Sequence, residues 1–159
     1  MDTVNRFKTR TTFLVLRAEY AVALAVCVVA FFGHIGEIRW IPAVVLMAYI
    51  DVFGYLPGLW AHRRAENHKI SRVYYMLYNS MHSFLTQSIV VALWIWIYGF
   101  EWALLVIPIH LCADRAIFGN FMKSFSMPFE HTTSPASAEV QRHITVVPGE
   151  SDENAMVRQ

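Results

Sequence analysis

The chain has 159 residues, a formal net charge of +1 and a composition that is 56% hydrophobic and 14% aromatic, with a mean hydropathy of +0.38. Soluble domains are typically about 45–50% apolar, so a purely soluble fold is disfavoured, and a charge near neutrality gives no footing for a nucleic-acid partner. Two cysteines, Cys27 and Cys112, lie in apolar stretches without C-x-x-C spacing, which excludes a disulfide framework and reads as two small buried hydrophobes.

The apolar excess is confined to residues 12–122. Residues 1–11 are a basic lead with Arg6, Lys8 and Arg10. Residues 12–32 form an apolar run of about 20 residues, long enough to cross a bilayer core of about 30 Å, with Arg17 and Glu19 in its first turns. It lacks the short core and small-residue cleavage site of a secretory signal. A second span is predicted over 40–60, framed by Trp40 and Trp60 as interfacial aromatics. Asp51 lies well inside it, and Gly54, Pro57 and Gly58 loosen its end. Residues 62–72 are a basic loop. The third span, 73–98, carries Asn79, His82, Ser83 and Thr86 at helical three-and-four spacing. The fourth, 102–121, places Pro108 just before His110 and predicts a kink there. Residues 123–159 turn polar and are predicted to be a largely disordered cytoplasmic tail.

Lysine and arginine sort by loop. The lead and the middle loop (Arg63, Arg64, Lys69, Arg72) are basic, whereas the other two loops hold only Arg39. The positive-inside rule then puts both termini and the middle loop in the cytoplasm. The expected fold is an all-α integral membrane four-helix bundle, multi-pass in a bacterial inner membrane.

On that topology Glu19, Asp51, His82, His110 and Asp114 all fall roughly 10–15 Å below the cytoplasmic surface, at about 1.5 Å per residue. Ionisable groups at such depth are costly and usually functional, and clustering lets them satisfy one another. His110 and Asp114 share one helical face. With His82 and Asp51 they offer a ligand set for a divalent metal, zinc or else manganese or iron. Asp51 doubles as a general-base candidate, and Glu19 is a second one. Asn79 and Arg115 are supporting candidates, and Arg17 and Arg115 are available to neutralise acidic charge. Two other readings stay open: a polar layer that only fixes helix register or serves a partner protein or a second copy, and haem or quinone binding through His82 and His110. There is no Walker-type loop, no G-x-S-x-G and no H-E-x-x-H.

Three stretches, Asp51 to Leu56, Tyr78 to Ser83 and His110 to Gly119, give the chain a family likeness. It resembles a family of small four-helix bacterial membrane proteins known only as a domain of unknown function. That family's late motif is a histidine, three residues, Asp-Arg and a glycine-containing turn. Here Phe118-Gly119-Asn120 stands where Gly-Tyr-Gly is more usual. The resemblance implies the bundle and the site residues but names no reaction. A fainter likeness to membrane-bound metal-dependent hydrolases, which also combine an Asp, a His-Ser and a late His-to-Asp pair, implies hydrolysis. The expected function is a metal-dependent, hydrolase-like membrane enzyme acting on a lipid-like substrate from the cytoplasmic side.

Overall fold

A computed structural model of the protein describes residues 10–66, 69–125 and 129–130. The start of the basic lead, His68, His131, His143 and the polar tail beyond Glu130 lie outside them. Every regular element among the described residues is helical. Helix α1 (Arg10–Gly33) is uninterrupted, as expected of a run of Ala, Val and Leu without internal proline or glycine. A short 3-10 turn (Ile35–Glu37) leads to α2 (Trp40–Gly54). Helix α3 (Leu56–Arg64) follows almost directly; Pro57 sits in its first turn, where the missing N–H costs nothing.

The third apolar segment departs from the expected single helix. It is α4 (Arg72–Met81) and α5 (Phe84–Tyr98), bent by 55° at His82 and Ser83. Such a break leaves backbone carbonyls without helical partners, which at membrane depth must be satisfied by protein. Two side chains do so: Gln87 Nε2 donates to the Met81 carbonyl at 2.7 Å, and Arg115 donates to that of His82 at 2.8 Å.

The fourth segment is also not one helix. It runs as a 3-10 turn (Trp102–Leu105), the eight-residue α6 (Val106–Ala113) and a π-helical turn (Asp114–Phe118). Pro108 lies in the first turn of α6, so the irregularity precedes it rather than forming a mid-helix kink. The π turn closes on Gly119, whose φ of +69° places it in the left-handed region. The Asn120 N–H then reaches back to the Asp114 carbonyl at 2.8 Å.

By length and apolarity, Thr11–Gly33 and Trp40–Arg64 can each cross a membrane, and the bent pair α4–α5 makes a third candidate. Their outward faces are apolar: Ile41, Leu85 and Trp96 are 75–82% exposed, as lipid-facing side chains are. The core joins Ala43, Leu46 and Ile50 of α2 to Leu104, Ile107 and Leu111 of the fourth segment. At one end the loops are clasped by an Arg39–Glu101 ion pair at 3.0 Å and by Trp102 donating to Glu37 at 3.2 Å. A second cluster, Tyr75, Tyr78 and Phe129, lies towards the basic loop. Packing therefore reaches Phe129, past the expected domain edge at residue 122.

Candidate metal centre

Three elements deliver the site. Asp51 comes from the last turn of α2, which packs against α4 because Gly54 has no Cβ; one there would meet the Met81 Cβ at 2.7 Å. His82 caps α4 at the break. His110 lies in α6, and Asp114 opens the π turn one step further on, so the change of helical pitch falls between the two members of the pair. π-type insertions recur at functional sites because they re-aim side chains.

The four side chains converge. His82 Nε2 is 3.4 Å from Asp51 Oδ1 and 3.3 Å from Asp114 Oδ2. His110 Nε2 is 3.7 Å from the same Asp51 oxygen and 3.6 Å from the same Asp114 oxygen. Asp51, His82 and His110 present ligand atoms all within 4.8 Å of one another, the spacing of a metal-binding triad. A tetrahedral ion with bonds of about 2.0–2.2 Å separates its ligand atoms by about 3.3–3.6 Å. The measured separations are close to those edges.

His82 Nδ1 lies 3.0 Å from the Tyr78 carbonyl, which can only accept, so Nδ1 carries a proton and Nε2 is the nitrogen turned towards the two carboxylates. His110 Nε2 and Asp114 Oδ2 are buried without a hydrogen-bond partner. Leaving such groups buried and unpaired is costly, and a cation or a shared proton between them removes the cost. A carbonyl fixing one imidazole nitrogen while the other stays free is the arrangement that surrounds histidine metal ligands.

Comparison with known proteins adds nothing to this geometry. No family model, curated protein or solved structure matches the chain. The chemistry is carried by the cluster's own atoms.

Neither arginine neutralises the acidic pair. Arg115 is buried and spends its guanidinium on the carbonyls of Leu111, at 3.0 Å, and His82, between the rings of Phe84 and Tyr20. Arg17 donates to the Ala116 and Ile117 carbonyls of the π turn. Both arginines satisfy backbone opened by broken helices, a demand that helical expectations did not contain. Glu19 is not brought to the cluster: α1 turns Arg17 and Tyr20 partly inward and leaves Glu19 exposed. Asn79 does not face the cluster either. Its amide pairs twice with the Lys123 backbone, at 2.9 and 2.7 Å.

Several contributors escaped the sequence reading. Tyr78 supplies the carbonyl that sets the His82 tautomer and stacks its ring on the imidazole at 4.0 Å. Tyr49 donates to Gln87, the residue that satisfies Met81. Lys123 reaches the Phe129 carbonyl and lies over the Tyr78 ring. Phe129, 1% exposed, packs against Tyr55, Tyr75 and Tyr78.

Proposed function

We propose that this protein is a membrane-embedded, metal-dependent enzyme of hydrolase type. His82, His110, Asp51 and Asp114 hold a divalent ion, zinc or else manganese or iron, and the substrate is lipid-like. The observation that carries this reading is the convergence of two imidazole nitrogens and two carboxylate oxygens at 3.3–3.7 Å with no arginine or lysine paired to either carboxylate among the described residues. Two negative charges and two neutral imidazoles match a divalent cation in charge as well as in spacing.

When bound, such an ion supplies Lewis acidity towards an ester or phosphoryl oxygen and makes water more acidic. Asp51 is the ligand with room to do more than bind. Its side chain is 46% exposed, against 6–17% for the other three. It faces the space a substrate would enter, so it suits the additional role of orienting or deprotonating water. His82 and His110 are enclosed and suit holding the ion.

In this reading the chain crosses a bacterial inner membrane four times, with α4–α5 and the segment 102–118 as broken spans. The asymmetry of Lys and Arg puts both termini and the loop 62–72 in the cytoplasm. A polar layer that only fixed helix register would pair each donor with an acceptor, whereas His110 Nε2 and Asp114 Oδ2 are left without a hydrogen-bond partner. Haem fits poorly, because the carboxylates lie within 3.7 Å of the nitrogens that a haem plane would have to separate.

Metal analysis of detergent-purified protein tests the proposal. One equivalent of zinc, manganese or iron is expected, lost in His110→Ala and Asp114→Asn. Folded protein that carries no metal and takes none up from solution refutes it.

A further inference from the structure

A groove of about 670 Å³ opens on the flank of the molecule, between the Gly33 end of α1, the first half of α2 and α6. Val28, Phe31, Trp40, Val44, Met47 and Ile109 are among its walls. Its only titratable lining residues are Asp51, His110 and Asp114, all at one end. From Trp40 to Asp51 the helix rises about 16 Å, close to the half-thickness of a hydrocarbon core, about 15 Å. A second groove, of about 380 Å³ between α5 and α6, reaches Gln87 but none of the four clustered residues. Gln87 is moreover occupied by Tyr49 and the Met81 carbonyl.

Two other sides of the cluster are covered among the described residues. Tyr78 lies flat on His82, and Phe129, 1% exposed, packs edge-on behind Tyr78 on the side of the basic loop. Arg115 and its two carbonyl partners fill the space beside His82. Asp51, the most exposed of the four, opens onto the groove.

We infer that the groove holds one alkyl chain of a membrane lipid, its polar group at Asp51, His110 and Asp114 and its tail running towards Trp40. The position of the polar group rests on the metal-enzyme reading; the seat for the chain does not. The tail then lies in the half of the bilayer away from the basic loop, and access is lateral, from the lipid phase. Three observations favour a lipid chain over a peptide or a water-soluble ligand. The walls are apolar throughout their length, the groove flanks helices with lipid-like exposed faces, and its length matches one leaflet. Phe31, Phe32 and Trp40 close the far end as a contacting aromatic group, so chain length is read there.

The test uses the full chain in dioleoyl phosphatidylcholine vesicles with palmitic acid carrying a diazirine on its terminal carbon. After photolysis, peptide mapping is expected to find label concentrated on residues 28–32 and 40–44, severalfold above Leu93, Trp96 and Ile97 of α5, which are exposed and line neither groove. Moving the diazirine next to the carboxyl group should shift the label towards Ala48 and Ala113. Val44→Trp and Ala48→Trp substitute exposed positions that the fold tolerates, and each should cut the labelling severalfold while metal content stays unchanged. Label spread evenly over α1, α2 and α5, or unaffected by both substitutions, overturns the inference. Metal is measured on the same samples. Groove labelling in protein that binds no metal supports the chain site while removing the enzyme reading; bound metal without groove labelling does the reverse.

Discussion

Replacing Arg115 with methionine keeps most of the side chain's length and removes its two backbone hydrogen bonds. Hydrogen bonds from a charged group each contribute about 1.5–3 kcal/mol, and leaving their partners buried and unpaired adds to the loss. The guanidinium also lies 4.7 Å from the centre of the Phe84 ring and 5.1 Å from that of Tyr20. Polar contacts in membrane bundles average nearer 0.6 kcal/mol. That average reflects unfolded references in which groups find other partners; the carbonyl of His82 is fixed at a helix break and has no such choice. We therefore expect Arg115→Met to cost about 3 kcal/mol, on the order of 6–12 °C in thermal midpoint for a chain of this size. Because the lost bond ends on the backbone of His82, metal affinity should fall about 10–100-fold, as for other residues that orient a ligand. Arg115→Lys should restore part of the stability, since one ammonium cannot span both carbonyls. Thermal unfolding in detergent and competition with a metal indicator measure the two effects. Unchanged stability and affinity in Arg115→Met would refute the view that this clamp holds the break and the ligand on it.

Gln87→Leu leaves the Met81 carbonyl unpaired and should cost about 1–3 kcal/mol in the same unfolding assay. Asn79→Ala removes both bonds to Lys123 and should release residues 120–125 to faster hydrogen exchange while metal content stays unchanged. Metal should dissociate on acidification and return when neutral pH is restored, because imidazole and carboxylate ligate only when deprotonated; this is read by equilibrium dialysis across a pH series. Reporter fusions at Ala65 and Ser134 should be active as cytoplasmic reporters and one at Gly36 inactive, and the opposite pattern would reverse the orientation.

The four clustered residues were legible because each is an ionisable group in an apolar segment at a similar distance from a basic flank. Period and depth together point Asp51, His82, His110 and Asp114 at one level. What the pattern could not carry was the backbone. Helical periodicity assumes continuous helices, so it aligned Asn79 with His82 and gave Arg115 to a carboxylate. Once the chain breaks after His82 and widens into a π turn after Ala113, Arg115 reaches two carbonyls, while Asn79 is taken up by the Lys123 backbone. Glu19 failed for a different reason. Position along the chain says nothing of azimuth, and Glu19 lies on the exposed side of α1. Phe129, buried against Tyr75 and Tyr78, is not legible in the sequence because it borders a polar stretch and lies in no regular element.

The breaks and the site explain one another. An unbroken third helix would carry His82 along a regular backbone with its carbonyl bonded to the next turn, leaving Arg115 no acceptor there. The interruption at His82 lets the imidazole cap α4, lean on Tyr78 and donate from Nδ1 to the Tyr78 carbonyl. The π turn does the corresponding task for Asp114, and Arg17 satisfies the Ala116 and Ile117 carbonyls that it leaves open. Two buried or half-buried arginines are thus committed to backbone, although two carboxylates stand nearby without a cationic partner among the described residues. A fold that needed only internal charge balance would pair them. Sending both arginines elsewhere leaves Asp51 and Asp114 with only the two imidazoles beside them among the described residues, which is the strongest physical reason to look for a cation from outside the chain.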